Sequence, residues 1–482
     1  MSAPLLPRLP AGFRPEGLRG RRVLVLGLGS FGGGLGAALH LVREGADVIV
    51  SDLRPAGELS ASLERLAGLP VRTALGRHAV EEVAQVDWIV ASPAVRWDAP
   101  PLQEARRRGV PVESEITLLV RLLPCRWLGI TGTNGKSTTT MLAGRTLAAA
   151  GRTVWSGGNL GGSLLDDWRR IGREDAVVLE VSSFQLEHLA EIGLGPAVGL
   201  VTNVTPDHLD RHGTLEAYAE VKRSILARAE VAVLHRSCPS CVAFAQRFVA
   251  ERGGRGEVRW FGEERAFAAG EQGAMVRDDG SAVLGSPGGG GAGVDLAPMK
   301  LRGPHNRLNL LAAATAAASF GVPFEAAVRA GLDAPPLARR LNEVARVRGV
   351  LYVDDSVATS PPAVIAALAS FGTGIRLIAG GYDKGIDPAP FVAAVRARCR
   401  KAYLYGAVAP ALAALLDAAA SAFEVHGDLR AAFAAAARDA QRGETVLFSP
   451  GFASYDQFRN FTERGDLFRA LVDSLRGAAA GA

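Results

Sequence analysis

The chain has 482 residues, which at roughly 100–200 residues per domain predicts several domains, and we expect three. Hydrophobic residues make up 48% and charged residues 21% of the chain, a balance that excludes a disordered or a fibrous protein. The formal net charge of +5 is small for this length, and no dense basic run interleaved with aromatic residues occurs. We therefore expect no nucleic-acid partner.

The cysteine content and the absence of long apolar runs indicate a protein of a reducing compartment that does not cross a membrane. Four cysteines in so long a chain, at positions 125, 238, 241 and 399, predict a reducing environment rather than a disulfide framework. Cys238 and Cys241 have half of a zinc-site spacing, but no second pair accompanies them, so we interpret them as an incidental pair of thiols. No apolar run of about 18 residues occurs, and the N-terminus lacks an apolar leader segment. We expect a cytoplasmic monomer with no stable membrane insertion.

The first predicted elements alternate between strand and helix. Residues 21–27 form a predicted buried strand, followed by a glycine-rich turn, a helix to about residue 44 and a second strand at 47–51. The alternation continues to about residue 114. This pattern predicts a parallel sheet.

A second set of elements starts near residue 127. A short strand at 128–130 precedes a glycine-rich turn and a long helix that ends near residue 150. Strands follow at 176–179 and 199–201, and a helix is predicted over 215–229.

A third set follows the two prolines at 335 and 336. Its predicted strands lie at 350–353, 376–379, 402–405 and 445–448, with alanine-rich helices between them. We therefore predict an α/β protein of three domains. These are a Rossmann-like N-terminal domain (1–114), a central P-loop ATP-binding domain with a parallel sheet (115–336) and a C-terminal Rossmann-like domain (337–482).

The first glycine cluster contains Gly27, Gly29 and Gly32 and precedes Asp52 by a spacing typical of a dinucleotide fingerprint. Glycines there let a diphosphate approach the N-terminus of a helix, where free N–H groups and the helix dipole favour anions. By itself the pattern fits NAD or FAD, another nucleotide diphosphate, or close packing of helix on strand. These alternatives stay open.

The second glycine cluster adds a lysine and hydroxyl groups. Its residues are Gly132, Thr133, Asn134, Gly135, Lys136, Ser137 and Thr138. Backbone N–H groups can wrap phosphates, Lys136 can reach the β and γ oxygens, and Ser137 can ligate Mg²⁺. Ile130 stands where the standard spacing has glycine, so this is a variant phosphate loop. Only five of the 54 lysines and arginines are lysine, which makes a surface lysine an unusual choice here, and we predict that the loop binds ATP.

Further polar residues follow neighbouring strands. Glu180 comes directly after an apolar strand, where its carboxylate can face Mg²⁺ beside the phosphate loop. His208 follows another strand between Asp207 and Asp210, and Lys222 lies on the next predicted helix. A lone histidine is usually an ordinary surface or core imidazole. Beside an ATP loop and Glu180 we interpret His208 as a metal ligand.

Taken in order, these motifs resemble the Mur ligase family. The segments that carry the resemblance are 131–138, 180–185, 207–210 with Lys222, 303–309 and 454–461, and it extends over essentially all of the chain after residue 21. It implies a three-domain ligase that uses ATP and Mg²⁺ to join an amino acid to a carboxylated UDP-sugar. The most similar members add D-glutamate to UDP-N-acetylmuramoyl-L-alanine through an acyl phosphate, in peptidoglycan precursor synthesis.

The resemblance also assigns residues to roles. It implies a catalytic set of Lys136, Lys222, His208 and Glu180, with Lys222 carbamylated by CO₂ so that it joins Ser137, Glu180 and His208 as metal ligands. The UDP-substrate residues that it implies are Gly27, Gly29, Ser30, Asp52 and Asn159. As residues that bind ATP it implies Asn306, Asn309, Arg340 and Asp355, in addition to those of the phosphate loop. On the incoming glutamate it places Thr359, Lys384, Ser454 and Phe461.

Two positions in the third domain depart from the family pattern. Val357 stands where members that add D-glutamate commonly have lysine, and the segment around Arg340 lacks the usual His-Arg-x-Glu pattern. Because this domain selects the amino acid, a ligase of the same family that uses L-glutamate or another amino acid stays an alternative. An NAD-dependent oxidoreductase built on the Gly27 turn, or a regulatory P-loop NTPase, is an alternative from another class, but each leaves one glycine cluster unexplained.

Overall fold

Three β-sheets with helices packed against them make up the described part of the chain. The structure is a computed structural model, and it describes residues 9, 15–28, 32–77, 80–289, 292–383 and 385–480. The α/β class predicted from the strand and helix alternation is confirmed.

The N-terminal sheet is parallel throughout, in the order β3-β2-β1-β4-β5. Its central strands consist mainly of valine, isoleucine and leucine because both of their faces are buried. The elements are β1 (Arg22–Leu26), α1 (Gly33–Arg43), β2 (Asp47–Asp52), α2 (Ser60–Leu66), β3 (Val71–Leu75), β4 (Trp88–Ala91), α3 (Pro100–Arg108), β5 (Val112–Glu113) and α4 (Glu115–Leu122).

The middle sheet has the order β14-β13-β12-β11-β10-β9-β6-β8-β7. Its strands are β6 (Trp127–Thr131), β7 (Val154–Gly158), β8 (Ala176–Glu180), β9 (Val198–Val201), β10 (Val231–His235), β11 (Glu257–Glu263), β12 (Gly273–Val276), β13 (Ser281–Gly285) and β14 (Val294–Asp295). Its helices are α5 (Lys136–Ala149), α6 (Ser183–Leu189), α7 (Leu209–His212), α8 (Leu215–Arg223), α9 (Pro239–Ala250), α10 (Pro304–Ala318) and α11 (Phe324–Gly331). The sheet is parallel from β7 to β12, but β12 and β13 form an antiparallel hairpin that the sequence analysis did not foresee.

One predicted helix is shorter than expected. The helix predicted over 215–229 ends at Arg223, and the chain continues as a single 3₁₀ turn over Ser224–Leu226. The Ser224 hydroxyl donates a hydrogen bond to the Val221 carbonyl at 2.7 Å. Such a local bond from serine to the backbone competes with regular helical pairing, which explains the early end.

The C-terminal sheet has the order β15-β16-β20-β17-β18-β19, and only its first pair is antiparallel within the described chain. Its elements are β15 (Asn342–Val347), β16 (Val350–Asp354), α12 (Pro361–Leu368), β17 (Ile375–Gly380), α13 (Ala389–Arg398), β18 (Cys399–Tyr405), α14 (Ala409–Ala418), β19 (Phe423–His426), α15 (Leu429–Asp439), β20 (Thr445–Gly451) and α16 (Phe461–Ala480). None of the described helices is both long enough and apolar enough to cross a membrane.

Packing divides the chain into two compact units. The first unit comprises residues 1–204, 216–294 and 310–330 and holds the N-terminal sheet and nearly all of the middle sheet; the second comprises 205–215, 295–309 and 331–482 and holds the C-terminal sheet. The three domain boundaries from the sequence stay a prediction.

Candidate active site

The turn between β6 and α5 has the backbone of a phosphate loop. Gly132 has φ = 144°, and a Cβ atom there would lie 1.9 Å from the Thr202 hydroxyl oxygen. Gly135 has φ = 86° and caps the N-terminus of α5. A side chain is therefore excluded at Gly132 and disfavoured at Gly135, and the N-terminus of α5 is a place that favours an anion.

The segment that follows β9 holds this loop in place. The backbone N–H groups of Thr133 and Asn134 donate to the carbonyl and the side-chain Oδ1 of Asn203, at 2.9 and 3.0 Å. The hydroxyl of Thr202 donates to the Asn134 carbonyl at 2.7 Å. Sequence reasoning missed both of these anchoring residues, although their place directly after a strand next to β6 was a signal.

Two of the few lysines meet at one carbonyl oxygen of the loop. Lys136 Nζ donates to the carbonyls of Gly132 and Thr133 at 3.0 and 2.8 Å. Lys222, which is only 1% exposed, donates to the same Gly132 carbonyl at 2.9 Å. Its ammonium lies 4.5 Å from the centre of the Tyr218 ring, whose hydroxyl in turn lies 3.3 Å from Thr133 Oγ1. The structure thus brings Lys222 from α8 to the phosphate loop.

Glu180 presents a buried carboxylate oxygen at the end of the neighbouring strand. It pairs in register with Ile130 of β6 and is 2% exposed. Its Oε1 accepts a hydrogen bond from Asn159 Nδ2 at 2.8 Å, whereas its Oε2 is buried and has no hydrogen-bond partner in the described chain. A buried carboxylate oxygen without a donor suits a cation.

The oxygen atoms of this site suit Mg²⁺ better than a metal ion that is bound by protein side chains alone. No cluster of three or more His, Cys, Asp or Glu side chains suited to a metal occurs among the described residues. Glu180 together with the buried hydroxyl of Ser137 on α5 supplies hard oxygen ligands. Mg²⁺ is usually bound by one or two protein oxygens, with water and phosphate oxygens completing its shell.

His208 belongs to the second unit and has an unusual backbone. Its φ is 53°, in the left-handed region that non-glycine residues rarely adopt, and it caps the short helix α7. Its Nε2 lies 3.6 Å from Asp207 Oδ2, and the His208 N–H donates to Asp207 Oδ1 at 3.0 Å. Strained positions of this kind cluster at functional sites; the metal-ligand role of His208 stays a prediction.

In the N-terminal glycine turn, Asp52 closes the turn itself. Its carboxylate accepts the Leu28 N–H at 3.0 Å, the Arg54 N–H at 3.0 Å and the Arg54 guanidinium at 3.1 and 2.9 Å. Burial opposes ionisation of Asp52, but these bonds outweigh it and hold its pKa below the usual value. Gly27 has φ = 86°, whereas Gly29 and Ser30 lie outside the described residues. Arg54 was not foreseen from the sequence.

A second glycine-rich loop, residues 157–162, lies against helix α1. A Cβ atom on Gly36 would come within 2.4 Å of Ser163 Cβ, and one on Gly32 within 3.5 Å of the Gly162 nitrogen. The same loop carries Asn159, which holds Glu180. One loop therefore contacts both helix α1 and the carboxylate beside the phosphate loop.

A cavity of about 230 Å³ lies in the second unit. It is lined by Lys300, Leu301, Arg302, Asn306, Pro336, Arg340, Leu341, Asn342 and Glu343. Asn306 Nδ2 donates to the Arg302 carbonyl at 2.6 Å, and Asn309 Nδ2 donates to Asn306 Oδ1 at 3.0 Å. The structure thus places the predicted residues Asn306 and Arg340 on one cavity, together with Lys300, which the sequence analysis left without a role.

Asp355 supports the wall of this cavity. Its Oδ1 accepts the Leu341 N–H at 3.2 Å and its Oδ2 accepts the Ser449 hydroxyl at 2.7 Å. Burial raises the pKa of Asp355 to about 7 despite these bonds. The residues on both sides of Arg340, Arg339 and Leu341, have positive φ of 61° and 45°, so the backbone around this arginine is held in a costly conformation.

The remaining residues predicted to bind glutamate follow the ends of the central strands of the C-terminal sheet. The Gly451 N–H donates to the Ala358 carbonyl at 2.9 Å, which ties the segment of Thr359 to the end of β20. Ser454 is buried just beyond this strand, and Phe461 begins α16. Lys384 lies outside the described residues.

A buried arginine that the sequence analysis missed joins these segments. Arg464 is fully buried and donates to the carbonyls of Phe452 and Ser356 at 3.0 and 3.1 Å. It therefore ties the chain after β20 to the chain after β16.

Comparison with protein families defines the class of this chain. The Mur ligase MurD-like N-terminal domain matches residues 21–114, the Mur ligase middle domain matches 130–317, and the Mur ligase glutamate ligase domain matches 339–452. Together these matches cover most of the chain in the family's own order. The chain belongs to the Mur ligase family.

Individual relatives within the family match nearly the whole chain. A relative from Roseiflexus sp. (strain RS-1) is 40% identical over 95% of this chain and 99% of its own length, and one from Anaeromyxobacter dehalogenans (strain 2CP-C) is 41% identical over 95% and 98%. Both are named UDP-N-acetylmuramoylalanine--D-glutamate ligase.

Solved structures agree with the fold. The UDP-N-acetylmuramate-alanine ligase MurC from Thermotoga maritima matches with a TM-score of 0.63 at 19% identity, covering 94% of this chain and 99% of its own. The MurF ligase from the same organism, in complex with ADP, matches with a TM-score of 0.56 at 17% identity, covering 96% and 97%. At these identities the likeness concerns the fold alone.

Proposed function

We propose that this chain is a ligase that uses ATP to add D-glutamate to UDP-N-acetylmuramoyl-L-alanine, a step of peptidoglycan precursor synthesis in the cytoplasm. The observation that carries the proposal is the meeting of Lys136 and Lys222 at the Gly132 carbonyl, on a sheet edge that also presents Glu180. Relatives that match along nearly the whole chain bear the name of this activity. The protein acts as a monomer.

The phosphate loop binds the triphosphate and prepares it for transfer. The alanyl carboxylate of the UDP-sugar attacks the γ-phosphorus, ADP leaves and an acyl phosphate forms. Phosphoryl transfer depends chiefly on positioning and on neutralising charge. The Lys136 ammonium turns from the loop carbonyls to the phosphate oxygens, while the loop N–H groups, held by Asn203, orient the chain of phosphates.

Mg²⁺ would be held by Glu180 and Ser137, and when bound it supplies positive charge to the phosphate oxygens. Asn159 fixes the orientation of the Glu180 carboxylate through its hydrogen bond and so leaves Oε2 directed away from the protein's own donors. We propose His208 as a further ligand.

Lys222 becomes a carbamate in the working enzyme. Its neutral amine attacks CO₂, an N–C bond forms and a proton is released, which turns a cation into an anionic oxygen ligand. Two ammonium groups at one carbonyl repel each other, and burial adds to the cost of a charged lysine. Carbamylation removes this repulsion, which supports the assignment.

The N-terminal turn receives the UDP part of the substrate. The start of α1, with Gly27, Gly29 and Ser30, forms the diphosphate site, Asp52 shapes it through its hydrogen bonds to Leu28 and Arg54, and Arg54 adds a cation. The dinucleotide alternative loses support from the geometry: Asp52 already accepts four hydrogen bonds, so a ribose hydroxyl would have to displace them.

The remaining ATP and amino-acid contacts lie in the second unit. The cavity with Asn306 and Arg340 receives adenine and ribose, with Asn309 and Asp355 supporting its walls. Thr359, Lys384, Ser454 and Phe461 hold glutamate. Its amine attacks the acyl phosphate, and the tetrahedral intermediate that forms expels phosphate.

One assay tests the whole proposal. Phosphate release is measured with ATP, MgCl₂, UDP-N-acetylmuramoyl-L-alanine and either D- or L-glutamate, with each component omitted in turn. We expect release that requires every component and that occurs with D-glutamate. Release with L-glutamate in its place would make Val357 the mark of a changed specificity, and intact ATP in the complete mixture would refute the ligase function.

A further inference from the structure

Helix α4 of the first unit begins with an acidic residue whose side chain is buried. Glu115 is the first residue of this helix and is only 7% exposed. Its Oε1 accepts a hydrogen bond from the Ser163 hydroxyl at 2.5 Å, a contact between residues 48 positions apart in the chain. An acidic residue in the first turn complements the helix dipole. That role does not require burial, which is costly for a carboxyl group, so the contact with Ser163 distinguishes this position.

Ser163 lies between two helices and a turn. Its hydroxyl oxygen accepts the Leu165 N–H at 3.2 Å and so caps the 3₁₀ turn Leu164–Asp166, while its proton goes to Glu115. On the side of α1, a Cβ atom on Gly36 would come within 2.4 Å of Ser163 Cβ. The absence of a side chain at Gly36 therefore lets Ser163 approach α1 closely, and Glu115 fixes the direction of its hydroxyl.

The loop 157–162, which Ser163 follows directly, is held at its other end by Glu180. The Asn159 N–H donates to the Glu180 carbonyl at 2.8 Å, and Asn159 Nδ2 donates to Glu180 Oε1 at 2.8 Å. Between the two ends lie Gly161 and Gly162, which are exposed and have φ of 95° and 76°. Because glycine backbones have wide conformational freedom, the shape of this stretch depends on where its ends are held.

The orientation of the Glu180 carboxylate depends on this loop. The bond from Asn159 occupies Oε1, whereas Oε2 is buried and has no hydrogen-bond partner in the described chain. Partners that orient a metal ligand in this way typically change metal affinity or activity about 10- to 100-fold when they are lost. A looser loop would let Asn159 leave Oε1 more often, and the carboxylate would then lose its fixed direction.

We propose that Glu115 is a positioning residue of the ligase: through Ser163 it holds the far end of the loop 157–162, which keeps Asn159 on Glu180 Oε1 and leaves Oε2 for the cation beside the phosphate loop. Glu115 acts through Ser163 and contacts no substrate. The role of Glu180 in this inference rests on the proposed function, whereas the hold of Glu115 on the loop does not.

Glutamine is the conservative replacement that keeps the contact. Burial raises the pKa of Glu115 to about 7, although the hydrogen bond from Ser163 lowers it. A large share of the Glu115 carboxyl groups is therefore neutral at neutral pH. The side-chain carbonyl of glutamine has nearly the same shape and accepts the same hydrogen bond without a charge. Glu115→Gln should therefore preserve the position of the loop, whereas Glu115→Ala and Ser163→Ala each remove the bond.

Amide hydrogen exchange on the full chain, without metal or substrate, tests the hold on the loop. Mass spectrometry of a peptide that covers 157–163 follows the Asn159 N–H, which is bonded to Glu180. We expect exchange to be about tenfold faster in Ser163→Ala and in Glu115→Ala, a change of roughly 1.4 kcal/mol in the opening free energy. Glu115→Gln should exchange like wild type. Wild-type exchange in Ser163→Ala overturns the proposal.

Thr117→Val is the matched control for a general loss of stability. Thr117 Oγ1 accepts the Ser114 N–H at 2.7 Å, so it caps the same helix without touching Ser163. Its replacement removes a cap at the start of α4 and should lower the Tm. We expect the loop of this variant to exchange like wild type. Equal loosening of the loop in Thr117→Val and Ser163→Ala would leave Glu115 only a structural role and overturns the proposal.

The Mg²⁺ dependence of phosphate release tests the role in the reaction. In Ser163→Ala and Glu115→Ala the half-saturating Mg²⁺ concentration should rise about tenfold, with kcat at saturating Mg²⁺ within about twofold of wild type. The double variant should resemble the single ones because both changes remove one bond. A lowered kcat with unchanged Mg²⁺ dependence overturns the route through Glu180. A wild-type protein that releases no phosphate overturns this role together with the ligase, while hydrogen exchange still decides whether Glu115 holds the loop.

Discussion

The two glycine turns of the first unit end in the same way, with a left-handed glycine before the helix, and differ in charge. Each joins a parallel strand to a helix that is capped by a glycine in the left-handed region, Gly32 with φ = 88° before α1 and Gly135 with φ = 86° before α5. In the second turn two ammonium groups meet at Gly132 and a buried carboxylate oxygen stands on the adjacent strand. In the first, a carboxylate paired with an arginine closes the turn.

This difference shows what glycine spacing does and does not specify. Both turns offer the N–H groups of a helix N-terminus to an anion. Two cations and the buried Glu180 oxygen next to the second turn suit the transfer of a phosphoryl group, whereas the Asp52–Arg54 pair suits the first turn to holding one. Substitutions at the two turns should therefore have different kinetic signatures.

The largest expected effect is that of Lys136→Ala. In the proposed mechanism Lys136 supplies charge to the γ-phosphate in the transition state, so its loss should lower ATP turnover about 1000-fold or more. Phosphate release under saturating substrates measures the effect. Lys401→Ala is the matched control, since Lys401 pairs with Glu424 and Asp439 in the second unit and should turn over ATP like wild type. Near-normal turnover in Lys136→Ala would remove the distinction between the two turns.

A somewhat smaller and reversible effect is expected for Lys222→Ala. Without the carbamate, turnover should fall about 100-fold, and a short carboxylic acid such as acetate should restore part of it by supplying the missing oxygen ligand. Lys222→Arg, which keeps a cation but cannot form a carbamate, should be equally impaired. Full activity of Lys222→Ala without an additive would exclude the carbamate, and rescue of neither variant would point to a purely structural lysine.

The smallest effect is expected at the first turn. Arg54→Ala removes a charged hydrogen-bond partner of Asp52 and a cation beside the proposed diphosphate site, so the KM for the UDP-sugar should rise about tenfold. The kcat and the KM for ATP should stay unchanged, because in the proposed mechanism this turn holds the UDP-sugar and does not act on the transferred phosphate. Arg72→Ala, which breaks an exposed ion pair with Asp47 on the same sheet, is the control. A fall in kcat with an unchanged KM would place Arg54 in the chemical step instead.

Much of the site was readable from the sequence because it lies where strands end. Glu180 ends an apolar strand, Lys136 and Ser137 begin the helix after the neighbouring strand, and side chains in such positions meet at the carboxyl edge of a parallel sheet. The residues that support the two turns were harder to read. Asn203 has its place after β9 as its one signal, and its contact with the phosphate loop depends on β9 lying beside β6. The pairing of Arg54 with Asp52 depends on the path of the chain just after β2.

The antiparallel hairpin of β12 and β13 was missed for a related reason. Strands at the edge of a sheet are short and half exposed, so their apolar pattern is weak. The helix predicted over 215–229 was too long because apolar periodicity gives no sign of the hydrogen bond that the Ser224 hydroxyl donates to the Val221 carbonyl.

The order of the amino acids by itself determined the family, the α/β class and the two glycine turns, because these follow from local spacing and from the alternation of apolar segments. Tertiary structure alone decided that Lys222 meets Lys136 at one carbonyl, that Asp52 accepts the Leu28 N–H, and that the Cys241 thiol donates to the Val201 carbonyl at the end of the strand that leads to Asn203. Contacts of this kind join residues far apart in the chain. They depend on strand order and on the path of each connection, which local spacing does not encode.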